Sequence, residues 1–139
     1  MTQPATRKPM VTRVMGTLVL VWCGSEAMRD DEWSSMIAIH RAQPDLNKLR
    51  IFVVTEGATP SPSQQKQLFD LLGGRTVSAA VLSDGIGPRF VISALALFIK
   101  RIRGFRIDEL GAAAAHLAMT PEEQRAAEAF LIEMGVTKR

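Results

Sequence analysis

Between Val11 and Cys23 the chain reads VTRVMG and then TLVLVWC, two short runs rich in β-branched residues that meet at Met15-Gly16. This predicts a β-hairpin whose glycine takes the positive φ of a tight turn. The second run is apolar at nearly every position instead of alternating, which predicts a strand covered on both faces. Trp33, Met36, Ile37 and His40 then recur at i, i+3, i+4 and i+7, the stripe of an amphipathic helix over 30–42 that Asp30 or Asp31 can cap and Pro44 ends. LRIFVVTEG (49–57) predicts another central strand. Ser61, Pro62 and Gln64 make a capping box with proline at the first helical position. Leu68, Leu71 and Leu72 form that helix's inward face, and Gly73-Gly74 stops it. TVSAAVLSD (76–84) is a further strand. Pro88 to Arg101 predicts a helix that is apolar almost all round and therefore deeply packed, with Asp84 as its cap. IRGFRI (102–107) suits an edge strand. DELGAAAAHLAM and TPEEQRAAEAFLIEM predict two closing helices, the second opened by Thr120, Pro121 and Glu123 and closed by Gly135.

Strands alternating with helices after an opening hairpin define an α/β fold with a mixed, largely parallel sheet. At 139 residues the chain is long enough for one core and too short for two. MTQPATRKPM (1–10) is polar, lacks an apolar signal-peptide segment and is expected to be a disordered tail before a single domain over 11–139.

Composition narrows the chemistry. A single cysteine excludes an internal disulfide and fits a reducing, cytoplasmic setting. The longest dense apolar stretch, FVISALALFI (90–99), is short of the ~20 residues that span a bilayer, so no membrane insertion is expected. Net charge is +3, a mild surplus with acidic residues spread throughout, and it does not favour nucleic acid as a partner. With no Tyr and only two His, chemistry built on a tyrosine or a histidine cluster has little to work with.

The layout resembles the STAS-like superfamily, which includes anti-sigma-factor antagonists, transporter-tail domains and the related CRAL-TRIO lipid carriers. The features that carry the resemblance are the opening hairpin, a helix beginning near DEW (31–33), the strand IFVVTEG and a proline-marked helix. The strand AAVLSD, the apolar helix VISALALF, a short strand around GFR and a closing helix from DEL (108–110) continue it. It covers residues 11 to 119 and implies that 121–134 is a C-terminal helical extension. In anti-sigma-factor antagonists a D-S-S-G loop opens the second helix and one of its serines is phosphorylated. TPSPSQ (59–64) stands there, with Ser61 in the equivalent place but without the flanking Asp and Gly. The resemblance implies a regulatory or scaffolding module that binds a protein partner, and makes Ser61 the candidate phosphorylation site.

Each candidate site has an ordinary reading beside the functional one. Cys23 in WCGSE stands at a strand-to-helix junction, where a redox thiol would sit. However, the residue three positions on is Glu26 instead of a second cysteine, and no proline immediately precedes 76–82. The alternation of Cys23 with Val19 and Val21 makes it a packing residue. SDGIGPR (83–89) combines glycines, a helix N-terminus and an arginine, as anion sites do, yet it is neither a dinucleotide fingerprint, since Phe90 stands where the third glycine would be, nor a P-loop. The ordinary reading is a capped turn, though it lies at a strand C-terminus where ligands of open α/β sheets bind. TEGATPSPS (55–63) would share that edge. Together these loops form the candidate partner surface: Thr59, Ser61, Ser63, Asp84, Gly85, Gly87 and Arg89. In KRIRGFR (100–106) the cations Lys100, Arg101, Arg103 and Arg106 are read as complementing a helix C-terminus. His40 and His116 have no metal-ligand partner at i+3 or i+4; His40, in the last turn of its helix, suits a protonatable ring. Ala127, Phe130, Leu131 and Met134 form a stripe that can bury on its own domain or in a homodimer. The expectation is a non-catalytic protein with no cofactor and no metal. A carrier or sensor of a small apolar or anionic ligand, with the 90–99 helix lining a pocket, and a redox protein using Cys23 are its alternatives.

Overall fold

The computed structural model describes residues 9–137, the side chain of Phe90 excepted. The chain runs β1 (Val11–Met15), β2 (Leu18–Cys23), α1 (Asp30–Arg41), β3 (Arg50–Thr55), α2 (Pro62–Leu72), β4 (Ser78–Leu82), α3 (Ile86–Leu95), β5 (Arg101–Phe105), α4 (Leu110–His116) and α5 (Pro121–Glu133). Short 3-10 turns precede β3 and α4. The expected tail falls mostly on residues 1–8, outside the described residues; Met10 packs against the core, and its N–H donates to Glu32 Oε2 at 3.1 Å.

The five strands lie in the order β1-β2-β3-β4-β5. β1 is antiparallel to β2, as the hairpin requires, and every later pairing is parallel. The fold is thus α/β with a mixed, largely parallel sheet, as the alternation predicts. The order has a consequence for the layers. Right-handed crossovers that always step in one direction place all their helices on one face of the sheet. α1, α2 and α3 accordingly pack on the face carrying Val19, Val21, Cys23, Ile51 and Ala79. The other face presents Leu18, Leu20, Trp22, Phe52, Val54, Ala80 and Leu82, and only α4 and α5 are left to cover it.

The final helix is therefore half of the second layer and not an extension outside the core. Ala127, Phe130 and Leu131 bury on their own sheet, with Ala113 and Leu117 of α4 beside them. Small alanines let both helices approach closely. Arg13 of β1 pairs with Glu133 at the end of α5, and its guanidinium lies 5.4 Å from the Phe130 ring centre. Met134 packs against the rim of the same cluster.

α3 departs most from expectation. It is one turn shorter than the apolar run suggested, ending at Leu95 and giving way to turns. Its surroundings are not a deep core: Ile86 is 72% exposed and Leu97, just past its end, 85%. The helix covers the last parallel pair at the edge of the sheet, where no neighbouring helix flanks it on the far side. Its apolar composition therefore exceeds what the fold buries.

Candidate functional site

The loops at the C-terminal ends of β3 and β4 meet. A Cβ built on Gly87 would stand 3.7 Å from the methyl group of Thr59, so the 57–63 and 84–89 segments adjoin as one surface. The first segment is pinned from below. Ala58 N–H donates to Gly24 O at 3.0 Å, and Thr55 Oγ1 donates to Ala58 O at 2.8 Å. Ser61 caps α2 as its sequence predicts: its hydroxyl accepts from Gln64 N–H at 3.1 Å and Gln64 Oε1 accepts from Ser61 N–H at 2.9 Å. Gln64 Nε2 also donates to Met28 O and Asp30 Oδ1, fastening the start of α2 to the start of α1. Ser61 and Ser63 are exposed.

The second segment is built differently from its sequence reading. α3 starts at Ile86 with Gly85 as N-cap and no capping side chain, so Pro88 is its third residue instead of its first. Proline is tolerated anywhere in that turn, where no intrahelical N–H bond is needed. Asp84 does not cap α3; its Oδ1 accepts from Ile107 N–H at 3.2 Å, tying the turn to the chain beyond β5. Ser83 Oγ accepts from Gly85 N–H at 3.0 Å. Ile86 and Arg89 point outward beside this turn. A cleft of about 260 Å³ lies between α3 and β5, lined by Ser83, Arg89, Gly104, Arg106 and Glu109 among others. Because the strand order runs in one direction, the sheet has no topological switch point.

Cys23 ends β2 on the face that α1, α2 and α3 cover, beneath the 55–60 loop, where its carbonyl accepts from Glu56 N–H at 3.0 Å and its side chain borders the same apolar space as Thr59 and Pro60. It is 5% exposed, and burial pushes its thiol up to about 12, with the Glu32 carboxylate adding to the shift. It is a packing thiol, and the carboxylate acting on it is Glu32 of α1. His40 is likewise buried. It is 1% exposed, its Nδ1–H donates to Met36 O at 2.8 Å, and burial holds its pKa below the usual histidine value. The last-turn position suits a protonatable ring; here the ring is buried and its proton affinity is reduced. His116 Nε2 bonds Arg101 O at 2.7 Å. The basic run is the sheet edge and not a helix C-terminus: Arg101 and Arg103 are exposed on β5, and Arg106 pairs with Asp108 at 3.1 Å. Charges on an unpaired edge strand oppose edge-to-edge association. No group of His, Cys, Asp and Glu among the described residues could hold a metal ion, and no helix there is long and apolar enough to cross a membrane.

One feature is an apolar cavity of about 100 Å³ between the sheet and α1, α2 and α3. Its floor includes Val21, Val53 and Val81, a single row across three strands. Trp33, Leu68 and Val91 contribute walls, and Ala58, Thr59 and Pro60 from the rim lie at its border. The sequence signal for it was SAAVL (78–82), where Ala79 puts a short side chain under the apolar α3.

Compared with known proteins, the chain matches no family model, no curated protein and no solved structure.

Proposed function

We propose that this α/β domain is a STAS-like regulatory or scaffolding module that binds a protein partner without catalysis, through the surface formed by 57–63 and 84–89. The observation that carries the reading is the junction of the two loops at Thr59 and Gly87. It creates one continuous, pinned surface from the hydroxyls of Ser61 and Ser63, the Arg89 guanidinium and the exposed Ile86. An apolar side chain set among polar groups suits a protein interface. The hairpin followed by strictly sequential parallel strands supports the STAS-like layout. Ser61 at the start of α2 is the modification candidate, since a phosphate at a helix N-terminus meets unpaired N–H groups and the positive end of the dipole.

The test compares wild type with an Arg89→Glu, Ser61→Asp double variant in pull-downs, with assembly state measured by light scattering. Aspartate is itself a good N-cap, so α2 should remain intact. Partner recovery is expected to fall; unchanged recovery removes this surface from the hypothesis. A lipid-carrier reading draws on the apolar cavity, but about 100 Å³ is less than the ~150 Å³ that accommodates benzene, which weighs against an acyl chain.

A further inference from the structure

The N-terminal ends of β4 and β5 carry a second cleft, at the edge of the sheet opposite the 57–63 and 84–89 loops. Ser78 pairs in register with Arg101, so the segments leading into the two strands run side by side. Between them lies a space of about 460 Å³, lined by residues 74–77 together with Leu97, Phe98, Lys100 and Arg101. The 74–77 side is held in place: Thr76 N–H donates to Asn47 Oδ1 at 3.2 Å and Thr76 Oγ1 donates to Asn47 O at 2.8 Å.

Among the described residues the lining holds the three cations Arg75, Lys100 and Arg101 and no carboxylate, and none of the three forms an ion pair. Arg75 Nε donates to Leu71 O at 2.9 Å at the end of α2, which leaves its terminal amino groups as donors. Helix dipoles do not account for the rest. α2 and α3 end nearby, but each supplies only about −0.5 charge, felt within the last turn, and Lys100 and Arg101 lie beyond that reach of Leu95. About two positive charges are left uncompensated. The cleft at the other end of α3 differs, since Arg106 pairs there with Asp108 and Glu109 lines the wall. Beside the three cations Leu97 is 85% exposed, and the Phe98 ring packs at 4.8 Å against that of half-exposed Phe69.

We propose that this cleft binds a phosphate-bearing molecule, with its phosphate held by Arg75, Lys100 and Arg101 and its apolar body laid against Leu97 and Phe98. A phosphomonoester carries about −1.5 to −2 charge at pH 7, which matches the uncompensated surplus better than a carboxylate does. The volume falls within the ~300–1,000 Å³ of small-molecule sites. The same chemistry is offered by a soluble organic phosphate and by a lipid headgroup with its acyl chains.

Phenyl phosphate and inorganic phosphate are titrated into the whole protein while backbone amide resonances are followed by NMR. Saturable shifts are expected at 74–77 and 97–101, with phenyl phosphate about fivefold the tighter. Leu97→Ser should remove most of that advantage and leave inorganic phosphate unchanged. Lys100→Glu should weaken both at least about tenfold. Arg125→Glu makes the same change in net charge on α5, across the sheet, and should alter neither by more than about twofold. All three positions are exposed, so each variant should fold. Sedimentation with phosphatidylcholine vesicles, with and without phosphatidic acid, separates the sources. Co-sedimentation that needs phosphatidic acid and is lost in Lys100→Glu makes the source a lipid headgroup; binding of phenyl phosphate without co-sedimentation makes it a soluble phosphate. No saturable shift up to about 20 mM phenyl phosphate would overturn the site. Equal weakening by Lys100→Glu and Arg125→Glu would reduce it to diffuse charge attraction, and an undiminished preference for phenyl phosphate in Leu97→Ser would overturn the apolar contact. None of these results depends on recovering a protein partner.

Discussion

Arg50 and Glu123 form a two-pronged ion pair that fastens the beginning of β3 to the first turn of α5. Nη1 donates to Oε1 at 2.8 Å and Nη2 to Oε2 at 2.6 Å, and both side chains are largely buried. The same guanidinium donates to Thr17 Oγ1 and to the carbonyls of Leu117 and Ala118. One side chain thus joins the hairpin turn, the α4–α5 connection and the capping box of α5.

The pair should be visible in stability. The Arg50 guanidinium holds the Glu123 carboxyl below its ordinary pKa. A depressed carboxyl contributes stability that is present above the unfolded value of about 4.3 and lost as pH falls through the folded one. Glu123→Gln, which keeps an acceptor for Thr120 N–H, should cost about 1–2 kcal/mol at pH 7. Urea titrations should show the difference from wild type shrinking as pH falls below about 4.

His40 acts in a separate window. Because burial lowers its folded pKa, the unfolded chain takes up a proton below about pH 6.5 that the folded protein refuses. Stability should therefore fall as pH drops below that point, by at most about 1.4 kcal/mol per unit, until the folded pKa is reached. His40→Leu should flatten this segment of the stability–pH curve; an identical slope in the variant would show that another group is responsible.

Cys23 should resist chemistry for the same reason that it packs. A thiol pushed up to about 12 has almost no thiolate at pH 8, and the folded protein should not react with a disulfide reagent over hours. Full reaction is expected in denaturant. Cys23→Ala should fold with a loss of about 1 kcal/mol, the cost of a small vacancy in a packed face.

Gly73 and Gly104 should respond differently to alanine. At Gly73 a Cβ would stand 2.8 Å from both the backbone oxygen and a ring carbon of Phe69. The backbone there cannot yield cheaply, so Gly73→Ala should cost roughly 1–3 kcal/mol. At Gly104 the obstruction is Ile92 Cδ1 at 2.9 Å, the free end of a side chain beside the cavity. Gly104→Ala should change stability by less than about 0.5 kcal/mol, as thermal melts of the two variants would show.

The sequence by itself determined what depends on neighbours within a few positions. The turn at Gly16, with φ of +61°, and the capping boxes at Ser61 and Thr120 stand where their residues placed them. The wholly apolar β2 is buried at every position because uninterrupted hydrophobicity requires cover on both faces. The alternation of Cys23 with Val19 and Val21 assigned the thiol to packing before its surroundings were known.

Only the tertiary structure decided which surfaces those elements meet. Asp84 could have capped α3, but the return of the chain after β5 offered it Ile107 N–H instead. An apolar α3 could have been a core helix, but its position beside the last strand left half of it exposed. Arg50 and Glu123 are 73 residues apart, so no local pattern couples them. The helix at 121–133 belongs to the core because a sheet that steps in one direction receives all its crossover helices on one face. The other face must be covered by whatever follows the last strand. That same ordering places the short Ala79 beneath the marginal α3 and leaves the space that Trp33 borders.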